Sequence, residues 1–544
     1  MRNILTIIKN KKIFIPCVLL VCLYLLFFHN MWAYDLMDVD ETRYIDMSRH
    51  MLRTKDFATL YLNGNYFFEK PPLYFWIESI VFAVFGKVSE GIGRIPIALE
   101  AIIGCLAVYF VALKAVSKKF ALTVVCILAT TLEFLILAKV AILDTLLTSC
   151  ITVSVFSGFM TYFVQEKNKK YFWWLFYIFS ALGMMAKGIP AFVVPFGTMF
   201  FVGLYAKNLR EFFKPKYFLV GICLFLAIVL PWHVYMLLKY KGLFFGEYIM
   251  KHHIARFLGA GHLGKNRPFY YYFLVILWGF FPWIFSFVPA IAKKFKEFEF
   301  VPFAKLSNRV KLVAFSVIGL LFTFSFFTAS SSKLVTYILP IYPFFAVLLA
   351  EYWDKDGFSR GLKISSILLS SLILFVGIGG CFIKFYLPPF LFEIVNEVQI
   401  FTCIFFTLVG LLSFYFIWKN DKARLFATYV GFMILFSAFG AYHLFNIDYK
   451  FGQNDLKAFA QLAKKEDKNL ASLNVGIKYS LNYYGDRNVL IYDGTDTSRI
   501  VPLLESNYYV VIRNKDMDII KQSLAFDVVQ SGVKYTLISK HFDK

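Results

Sequence analysis

Two short motifs of this chain combine carboxylates with cationic side chains. Asp38–Tyr44 (DVDETRY) has three carboxylates and a guanidinium, and Phe67–Pro72 (FFEKPP) sets a carboxylate beside an ammonium group. A carboxylate can act as a general base towards a hydroxyl group. Cations stabilise the negative charge that develops on a departing phosphate. The two motifs together therefore fit the transfer of a group from a phosphate to an acceptor.

The elements that must position these motifs are membrane helices. Of the 544 residues, 59% are hydrophobic and only 17% are charged, which excludes an ordinary soluble protein. A bilayer span needs about 20 predominantly apolar residues, with roughly 17 as the lower bound. Segments of that kind predict about thirteen transmembrane helices, near 13–30, 95–113, 120–137, 146–164, 171–186, 189–205, 217–238, 271–291, 312–328, 335–350, 364–382, 400–418 and 425–445.

Basic residues between the spans predict the orientation. Lys and Arg are retained on the cytoplasmic side of a membrane, and six alternate loops carry clusters of them. With the N-terminus in the cytoplasm, the odd number of spans predicts that the C-terminal segment lies outside. The net charge of +22 therefore reflects membrane topology. Because the cations do not form one basic face, we expect no nucleic acid partner.

The first outer segment, residues 31–94, holds both motifs. Tyr44, Met47 and Met51 recur at helical spacing, which predicts an amphipathic helix lying on the membrane. The apolar stretch Leu73–Phe85 decides the topology, because counting it as a span would invert every later loop. The charge pattern favours a second interfacial helix there.

The composition becomes polar and mixed in charge from about residue 446. We therefore divide the chain into a transmembrane domain, 1–445, and a small outer α/β domain, 446–544. The glycines of the second domain form no dinucleotide-binding pattern, and the sequence predicts no chemistry for it. Its strand-like stretches include Asn488–Asp493 and Tyr508–Arg513, and its helix-like stretches are Leu456–Lys464 and Asp516–Leu524.

Topology gathers the unusual polar residues on the outer side. Ionisable groups near the membrane are expensive to bury and are usually functional. Among them Arg43, Lys70, Lys187 and Lys333 are candidates for stabilising a phosphate, and Asp40 is the candidate base. No mononucleotide-binding motif occurs, so we expect a lipid-linked donor and no nucleotide cofactor. The outer set comprises Asp35, Asp38, Asp40, Glu41, Arg43, Tyr44, Glu69, Lys70, Asp144, Lys187, His252, His253, Arg256 and Lys333.

These residues also have structural interpretations. Lys333 at a helix end can be an anchor whose charge reaches the membrane surface, and Asp144 can cap the span that follows it. Glu69 and Lys70 can be an ion pair that ends at a rigid Pro-Pro turn, and His253 can belong to a solvated loop. Only their combination on one face favours a functional site.

Successive segments resemble the C-type glycosyltransferases of the protein O-mannosyltransferase superfamily, and most closely the bacterial 4-amino-4-deoxy-L-arabinose transferases that modify lipid A. One such motif would be weak support, whereas an ordered series is specific to the superfamily. The matching segments are Asp40–Tyr44 (DETRY), Tyr66–Trp76 (YFFEKPPLYFW), Ala138–Asp144, Met185–Gly188, His253–Phe257, Arg267–Tyr271 and Ser332–Pro340.

The resemblance implies roles for individual residues. Asp40 corresponds to the principal catalytic carboxylate and Asp144 to a second one beside it. Glu69 and His253 correspond to a pair that binds a divalent metal. Phe67 departs from the tyrosine expected at its position, which removes one hydroxyl group. The residues expected to assist catalysis or to surround the donor phosphate are Arg43, Tyr44, Lys70, Lys187, Arg256, Lys333 and Tyr337.

The family fold is a helical membrane domain with interfacial helices in the first outer loop and a small outer C-terminal domain. The implied activity is inverting transfer of a sugar, such as 4-amino-4-deoxy-L-arabinose, from undecaprenyl phosphate to lipid A at the outer face of the bacterial inner membrane. A protein O-glycosyltransferase is the alternative among enzymes, and other envelope glycans are alternative acceptors. A transporter or flippase of lipid-linked sugars is the alternative outside enzymes, but this chain shows no obvious repeated halves.

Overall fold

The protein is described by a computed structural model of the full 544-residue chain. The residues that the structure describes are 20–255, 258, 266–296, 301–355, 357–382, 385, 392–440 and 452–541. Most of them lie in helices, and a small mixed sheet lies near the C-terminal end.

The first loop folds as two helices around a short hairpin. Its elements are α1 (Asp40–Thr54), β1 (Tyr61–Leu62), β2 (Asn65–Tyr66) and α2 (Leu73–Phe85). In α1 the side chains of Tyr44, Met47 and Met51 are buried, which confirms the predicted amphipathic face. Ser48 donates a hydrogen bond of 2.5 Å to Glu78 of α2, so the two helices are joined by a buried polar contact.

The length of α2 decides how this loop relates to the membrane. The helix follows Pro72 and ends at Gly86, whose φ of +64° is a left-handed conformation that glycine adopts without strain. Its 13 residues extend about 20 Å at 1.5 Å per residue. That length is too short to cross a hydrocarbon core of about 30 Å. The helix therefore fits the predicted interfacial position.

Apolar helices form the membrane portion. The most enclosed of the long ones, Leu143–Met160, is buried along its whole length. A 3-10 segment, Val335–Ile341, leads into one of the later helices. In chain order the helices are α3 (Glu90–Ala115), α4 (Lys118–Ala129), α5 (Leu132–Leu137), α6 (Leu143–Met160), α7 (Glu166–Ala186), α8 (Pro190–Tyr205), α9 (Leu209–Phe212), α10 (Pro215–Phe244), α11 (Tyr271–Gly279), α12 (Ile284–Lys296), α13 (Asn308–Ala329), α14 (Tyr342–Asp354), α15 (Arg360–Gly380), α16 (Phe392–Trp418) and α17 (Lys422–Leu435).

Eight helices among the described residues are long and apolar enough to cross a membrane. A ninth crossing follows if α11 and α12, which are bent by 115° at their junction, count as one span. That pair occupies the predicted span 271–291, and the predicted span 120–137 is divided between α4 and α5. The first predicted span begins in residues 1–19, which lie outside the described part. The count of about thirteen spans therefore stays a prediction.

Short polar residues fix where several of these helices begin. Ser117, Ser307 and Ser359 precede α4, α13 and α15, and each accepts a hydrogen bond from a backbone N–H group of the first turn. Asp421 does the same for α17. All four lie in loops that carry the basic clusters, so these helices start on the side that the charge pattern predicts as cytoplasmic.

The C-terminal segment folds as a small α/β unit. Its elements are α18 (Asn454–Lys465), β3 (Asn469–Leu473), α19 (Ser480–Gly485), β4 (Val489–Tyr492), α20 (Val501–Leu504), β5 (Tyr508–Arg513), α21 (Met517–Ser523), β6 (Phe526–Ser531) and β7 (Tyr535–Lys540). The sheet order is β4-β3-β5-β7-β6, with β3 parallel to its two neighbours and β7 antiparallel to its two. The predicted α/β class is confirmed. Residues 441–451 lie outside the described part, and the boundary at 445/446 stays a prediction.

Candidate functional site

Asp40 and Arg43 lie in the first turn of α1 and form an ion pair. Arg43 Nη2 is 2.5 Å from Asp40 Oδ1, and the same nitrogen donates a hydrogen bond of 2.9 Å to the Tyr44 hydroxyl. The side chain of Asp40 is 53% exposed, whereas that of Arg43 is 17% exposed. Asp40 is therefore accessible to an acceptor, while Arg43 presents its charge from a fixed, largely enclosed position.

Tyr44 connects this pair to a second carboxylate. Burial raises the pKa of Tyr44, the charge of Arg43 lowers it, and the charges of Asp40 and Asp144 raise it further. Both carboxylates thus act on the same phenol group. The structure brings the two predicted catalytic carboxylates into one site, although more than one hundred residues separate them in the sequence.

Asp144 lies in the first turn of α6 and forms an ion pair with Lys187, which follows the last residue of α7. Lys187 Nζ also lies 4.5 Å from the centre of the Tyr337 ring, within the range of a cation–π interaction. The N-cap of α6 is Ile142, so Asp144 engages Lys187 and is not the N-cap of the helix. Three residues of the predicted site therefore form one contiguous cluster.

The second motif lies next to Arg43. The Phe67 ring centre is 5.8 Å from the guanidinium carbon of Arg43, and the charges of Glu69 and Arg43 interact. Lys70 is buried, with 9% of its surface exposed. The turn at Pro71 then leads into α2. The two motifs, which lie on opposite sides of the hairpin in sequence, therefore meet at Arg43.

Lys333 is enclosed and held by backbone carbonyl groups. Its Nζ donates hydrogen bonds of 2.6 Å to Ser330 and 3.3 Å to Arg267, and only 4% of the residue is exposed. An isolated bridge between Asn266 and Ser332 joins the two segments. Burial lowers the pKa of Lys333. This is not the geometry of a side chain that extends to the membrane surface. Among the described contacts none joins Lys333 directly to Asp40.

Two predicted residues fall where the structure gives no side-chain geometry. Arg256 lies outside the described residues, and so does the side chain of His253. The predicted metal pair of Glu69 and His253 therefore stays a prediction. Within the part of the chain that is described, no group of three or more His, Cys, Asp or Glu side chains could hold a metal ion.

Glu41, the acidic residue that directly follows Asp40, has a structural role. Its oxygens bind Nε and Nη2 of Arg94 at 2.6 and 2.8 Å, and both side chains are fully buried. They also accept hydrogen bonds of 2.8 and 3.0 Å from the backbone N–H groups of Met37 and Ala141. Glu41 thus ties the start of α1 to α3 and to the loop that leads into α6 and its second carboxylate.

Sequence reasoning missed Arg94. Its guanidinium also donates to the backbone carbonyls of Met31, Tyr34 and Asp35 and lies 3.8 Å from the centre of the Tyr34 ring. The signal in the sequence was a cation in the first turns of the apolar helix α3, far from Lys114 in its last turn and beside a loop with an excess of carboxylates. A buried cation requires a buried anionic partner, and Glu41 is that partner.

The C-terminal unit contacts the first motif directly. Asp38 accepts hydrogen bonds from the backbone N–H and the hydroxyl group of Ser480, at 2.9 and 2.5 Å. Arg53 of α1 forms an ion pair across the same interface with Asp486, and hydrogen bonding by Arg53 lowers the pKa of that carboxyl group. The sequence predicts no chemistry for this unit, yet the structure sets it against the carboxylate motif.

Comparison with known proteins identifies the family. Residues 13–243 match the family model described as dolichyl-phosphate-mannose-protein mannosyltransferase. An uncharacterised protein of Aquifex aeolicus (strain VF5) is 30% identical over 357 residues, which cover 65% of this chain and 76% of that protein. The chain belongs to the protein O-mannosyltransferase superfamily.

Two further similar proteins have undecaprenyl phosphate in their descriptions. The undecaprenyl phosphate-alpha-4-amino-4-deoxy-L-arabinose arabinosyl transferase of Pectobacterium carotovorum subsp. carotovorum (strain PC1) is 28% identical over 338 residues, which cover 62% of this chain but only 58% of that enzyme. The crystal structure of ArnT from Cupriavidus metallidurans bound to undecaprenyl phosphate has the same fold, with a TM-score of 0.81 and 16% identity. That match covers 96% of this chain and 97% of ArnT.

Superfamily membership confirms the predicted enzyme class. The protein is a C-type glycosyltransferase, the class that takes its sugar from a polyprenyl-phosphate-linked donor. It is also a membrane protein with several spans. The comparisons assign no role to any single residue. The roles of Asp40, Asp144 and the surrounding cations therefore stay predictions, supported by the geometry described above.

Proposed function

We propose that this protein is an inverting glycosyltransferase that moves 4-amino-4-deoxy-L-arabinose, or a similar sugar, from undecaprenyl phosphate to lipid A. The observation that carries the proposal is the convergence on Tyr44 of Asp40 and Asp144, each paired with a cation. The description of the Pectobacterium enzyme supports the choice of sugar and donor. Lipid A is the preferred acceptor because the sequence segments most resemble transferases that modify it.

The arrangement suits a single displacement at the anomeric carbon of the sugar. The acceptor oxygen forms a bond to that carbon while the bond from the carbon to the phosphate oxygen breaks, and the configuration is inverted. For a hydroxyl acceptor, Asp40 takes the proton, a role that its 53% exposure permits. A phosphate acceptor is already anionic and needs only to be positioned.

The departing phosphate gains negative charge, and the cations of the site are arranged to meet it. Arg43 is held by Asp40 and Tyr44, and Lys187 is held by Asp144. Charges that are already fixed stabilise a leaving group without reorganising during the reaction. In this proposal Arg43 and Lys187 bind the phosphate, and Asp144 acts by orienting Lys187.

A divalent metal is the cofactor that the family resemblance adds. Glu69 and His253 would hold it, and it would supply further positive charge near the phosphate. Glu69 is the single member of that pair with a described side chain, and it interacts with the charge of Arg43. One carboxylate beside a guanidinium is not a complete metal site, so we assign no step of the reaction to a metal.

The proposed location is the bacterial inner membrane, with the N-terminus in the cytoplasm and the site and the C-terminal unit in the periplasm. The alternating basic loops support this orientation. Apolar side chains exposed on α2, Ile80 at 62% and Val84 at 77%, suit contact with lipid at the same level as the site. The donor and the acceptor would then meet in one leaflet.

A protein O-glycosyltransferase is the second candidate. The matched family model describes mannosyl transfer to protein, and the exposed Asp40 can serve a hydroxyl group of any acceptor. Other envelope glycans are compatible with the same chemistry. The donor side of the proposal is the same for all these acceptors.

The deciding experiment is mass spectrometry of the products that purified protein makes from defined undecaprenyl-phosphate-linked sugars. Lipid A, a serine- and threonine-containing peptide and an envelope glycan would be offered as parallel acceptors. We expect lipid A to gain the mass of one sugar and undecaprenyl phosphate to be released. In a deletion strain, unchanged lipid A together with loss of a glycoprotein would refute lipid A as the acceptor and favour the protein alternative.

A further inference from the structure

Hydrogen bonds between Ser480 and Asp38 join the C-terminal unit to the carboxylate motif. Ser480 is fully buried and gives Asp38 both its backbone N–H and its hydroxyl group. The Thr42 hydroxyl donates to the same Asp38 carboxylate at 2.7 Å, inside the turn that contains Asp40. Ser480 is therefore fixed relative to the first turn of α1. The residue before it, Tyr479, is fixed with it.

Tyr479 lies within electrostatic range of two charged groups of the site. Its ring is half-buried and packs against the large core that extends from the membrane portion into the C-terminal unit, and not against the separate small core of the C-terminal sheet. Burial raises the pKa of Tyr479, the charge of Arg43 lowers it, and the charge of Glu69 raises it. The hydroxyl group thus lies in the field of both motifs, although Tyr479 belongs to neither.

Arg43 has unused hydrogen-bonding capacity on this side. Its Nε is buried, and no hydrogen-bond partner for it occurs among the described residues. The aromatic side chain that the second motif sets beside it, Phe67, has no hydroxyl group to offer. Buried donors without partners are rare in proteins and mark places where a ligand or water binds.

We propose that Tyr479 of the C-terminal unit is a substrate-binding residue, whose hydroxyl group donates a hydrogen bond to the phosphate of the lipid-linked donor beside Arg43. Asp38 and Ser480 are positioning residues that hold Tyr479 there. This inference rests on the proposed function, because it takes the donor phosphate as the ligand of Arg43. It assigns to the C-terminal unit a direct part in forming the site.

The chemistry of the group supports this assignment. A phenol hydroxyl donates to a phosphate oxygen without adding charge, so it completes a phosphate site in which a guanidinium already provides the charge. The phosphate would in turn accept from the unpartnered Nε of Arg43. The site would then be lined by α1, by the second motif and by the loop that precedes α19.

The test compares Tyr479→Phe with Tyr508→Phe, using purified full-length protein. Tyr508→Phe is the matched control, because it removes a hydroxyl group from the same unit at a ring that packs on the separate sheet core. Binding of undecaprenyl phosphate is measured by fluorescence titration, and donor and acceptor KM and kcat by product formation. A hydrogen bond to a charged group corresponds to a change of roughly tenfold or more in affinity. We expect Tyr479→Phe to raise the Kd and the donor KM by about tenfold, with an unchanged melting temperature, and Tyr508→Phe to change neither.

The outcomes separate this inference from the proposed function. Equal donor binding by wild type and Tyr479→Phe would overturn the inference. If wild type still transfers the sugar, the proposed function would stand. An increase confined to the acceptor KM, or an equal loss in both tyrosine variants, would also overturn it. If wild type binds undecaprenyl phosphate but transfers no sugar, the proposed function fails, and a weaker Kd of Tyr479→Phe alone still supports the inference. Ser480→Ala, which removes one of the two hydrogen bonds to Asp38, is expected to raise the donor KM in the same direction.

Discussion

Glu41 and Arg94 form a two-pronged ion pair that is closed to solvent on all sides. Glu41 is the neighbour of the exposed Asp40 in the sequence, but its environment is the opposite of that of Asp40. A buried ion pair contributes little net stability compared with apolar residues, whereas removal of one partner leaves an uncompensated charge. The pair therefore fixes the positions of the two segments that carry the candidate carboxylates Asp40 and Asp144.

Glu41→Gln is expected to destabilise the protein by about 3–5 kcal/mol, because the amide leaves the Arg94 guanidinium without a counter-charge. Transfer should fall as well, since the bond from Ala141 fixes the segment leading to Asp144. Thermal and denaturant unfolding in detergent measure the first effect. Glu505→Gln, at an exposed position in the C-terminal unit, is the control. If the Glu41→Leu, Arg94→Leu double variant proves less stable than both single variants, the buried-charge explanation is wrong.

Asp40→Asn is expected to lower kcat at least about tenfold, which corresponds to roughly 1.4 kcal/mol of activation free energy. The amide keeps the shape of the side chain but cannot accept the acceptor proton. Stability should change by no more than about 0.5 kcal/mol, because the side chain is largely exposed. Asp467→Asn, whose side chain is 97% exposed, is the matched control. Turnover close to that of wild type in the Asp40 variant would refute its role as the base.

The buried ammonium group of Lys333 leads us to expect that kcat/KM for the donor depends on pH. Burial lowers the pKa of its ammonium group, so the positive charge is lost at a lower pH than in an exposed lysine. If this charge helps to bind the donor phosphate, kcat/KM for the donor should fall as the pH rises through that lowered pKa. Lys333→Arg keeps its charge across this range. We expect the variant to lack this decline at pH values below the usual lysine pKa of about 10.4. If wild type and Lys333→Arg show the same decline of kcat/KM with pH, Lys333 is not the source of the decline.

The predicted metal pair calls for a chelation experiment. If Glu69 and His253 bind a divalent ion, dialysis against a chelator should lower transfer, and added Mg²⁺ or Mn²⁺ should restore it. Elemental analysis of the purified protein measures the bound metal independently of activity. Glu69→Gln should then reduce the metal content, whereas Glu505→Gln should not. Full activity after chelation, with no metal detected, would leave Glu69 and His253 as structural residues.

Much of the fold could be predicted because its determinants are local. Tyr508–Arg513 is a run of aromatic and β-branched residues, which favour strands, and β5 has the predicted bounds. The breaks within the predicted spans 120–137 and 271–291 could not be predicted, because each break depends on contacts with the other. Leu132 N–H donates to the Phe281 carbonyl at 3.0 Å, and the Trp283 indole donates to Thr130 at 3.1 Å. The two breaks satisfy each other's polar groups inside the membrane portion. The hydropathy pattern of one segment carries no information about its contacts with another segment.

The candidate site also has a part that could be predicted from the sequence and a part that could not. Asp40 and Arg43 are three residues apart on a helix, so their pairing follows from helical spacing. Lys187 and Asp144 could be assigned to one side of the membrane but not to one ion pair. Arg94 was overlooked because its partner Glu41 is distant in the sequence. Contacts between distant segments are set by tertiary packing, which hydropathy and charge patterns do not report.

The hydrogen bonds from Ser480 to Asp38 join positions 442 residues apart. Synthesis proceeds from the N-terminus, so the carboxylate motif is synthesised well before its partner. A chain interrupted before the C-terminal unit would already contain the described membrane helices, yet it would lack Ser480 and Tyr479. The proposed site would therefore be complete only after the C-terminal unit has been synthesised and has docked on the carboxylate motif.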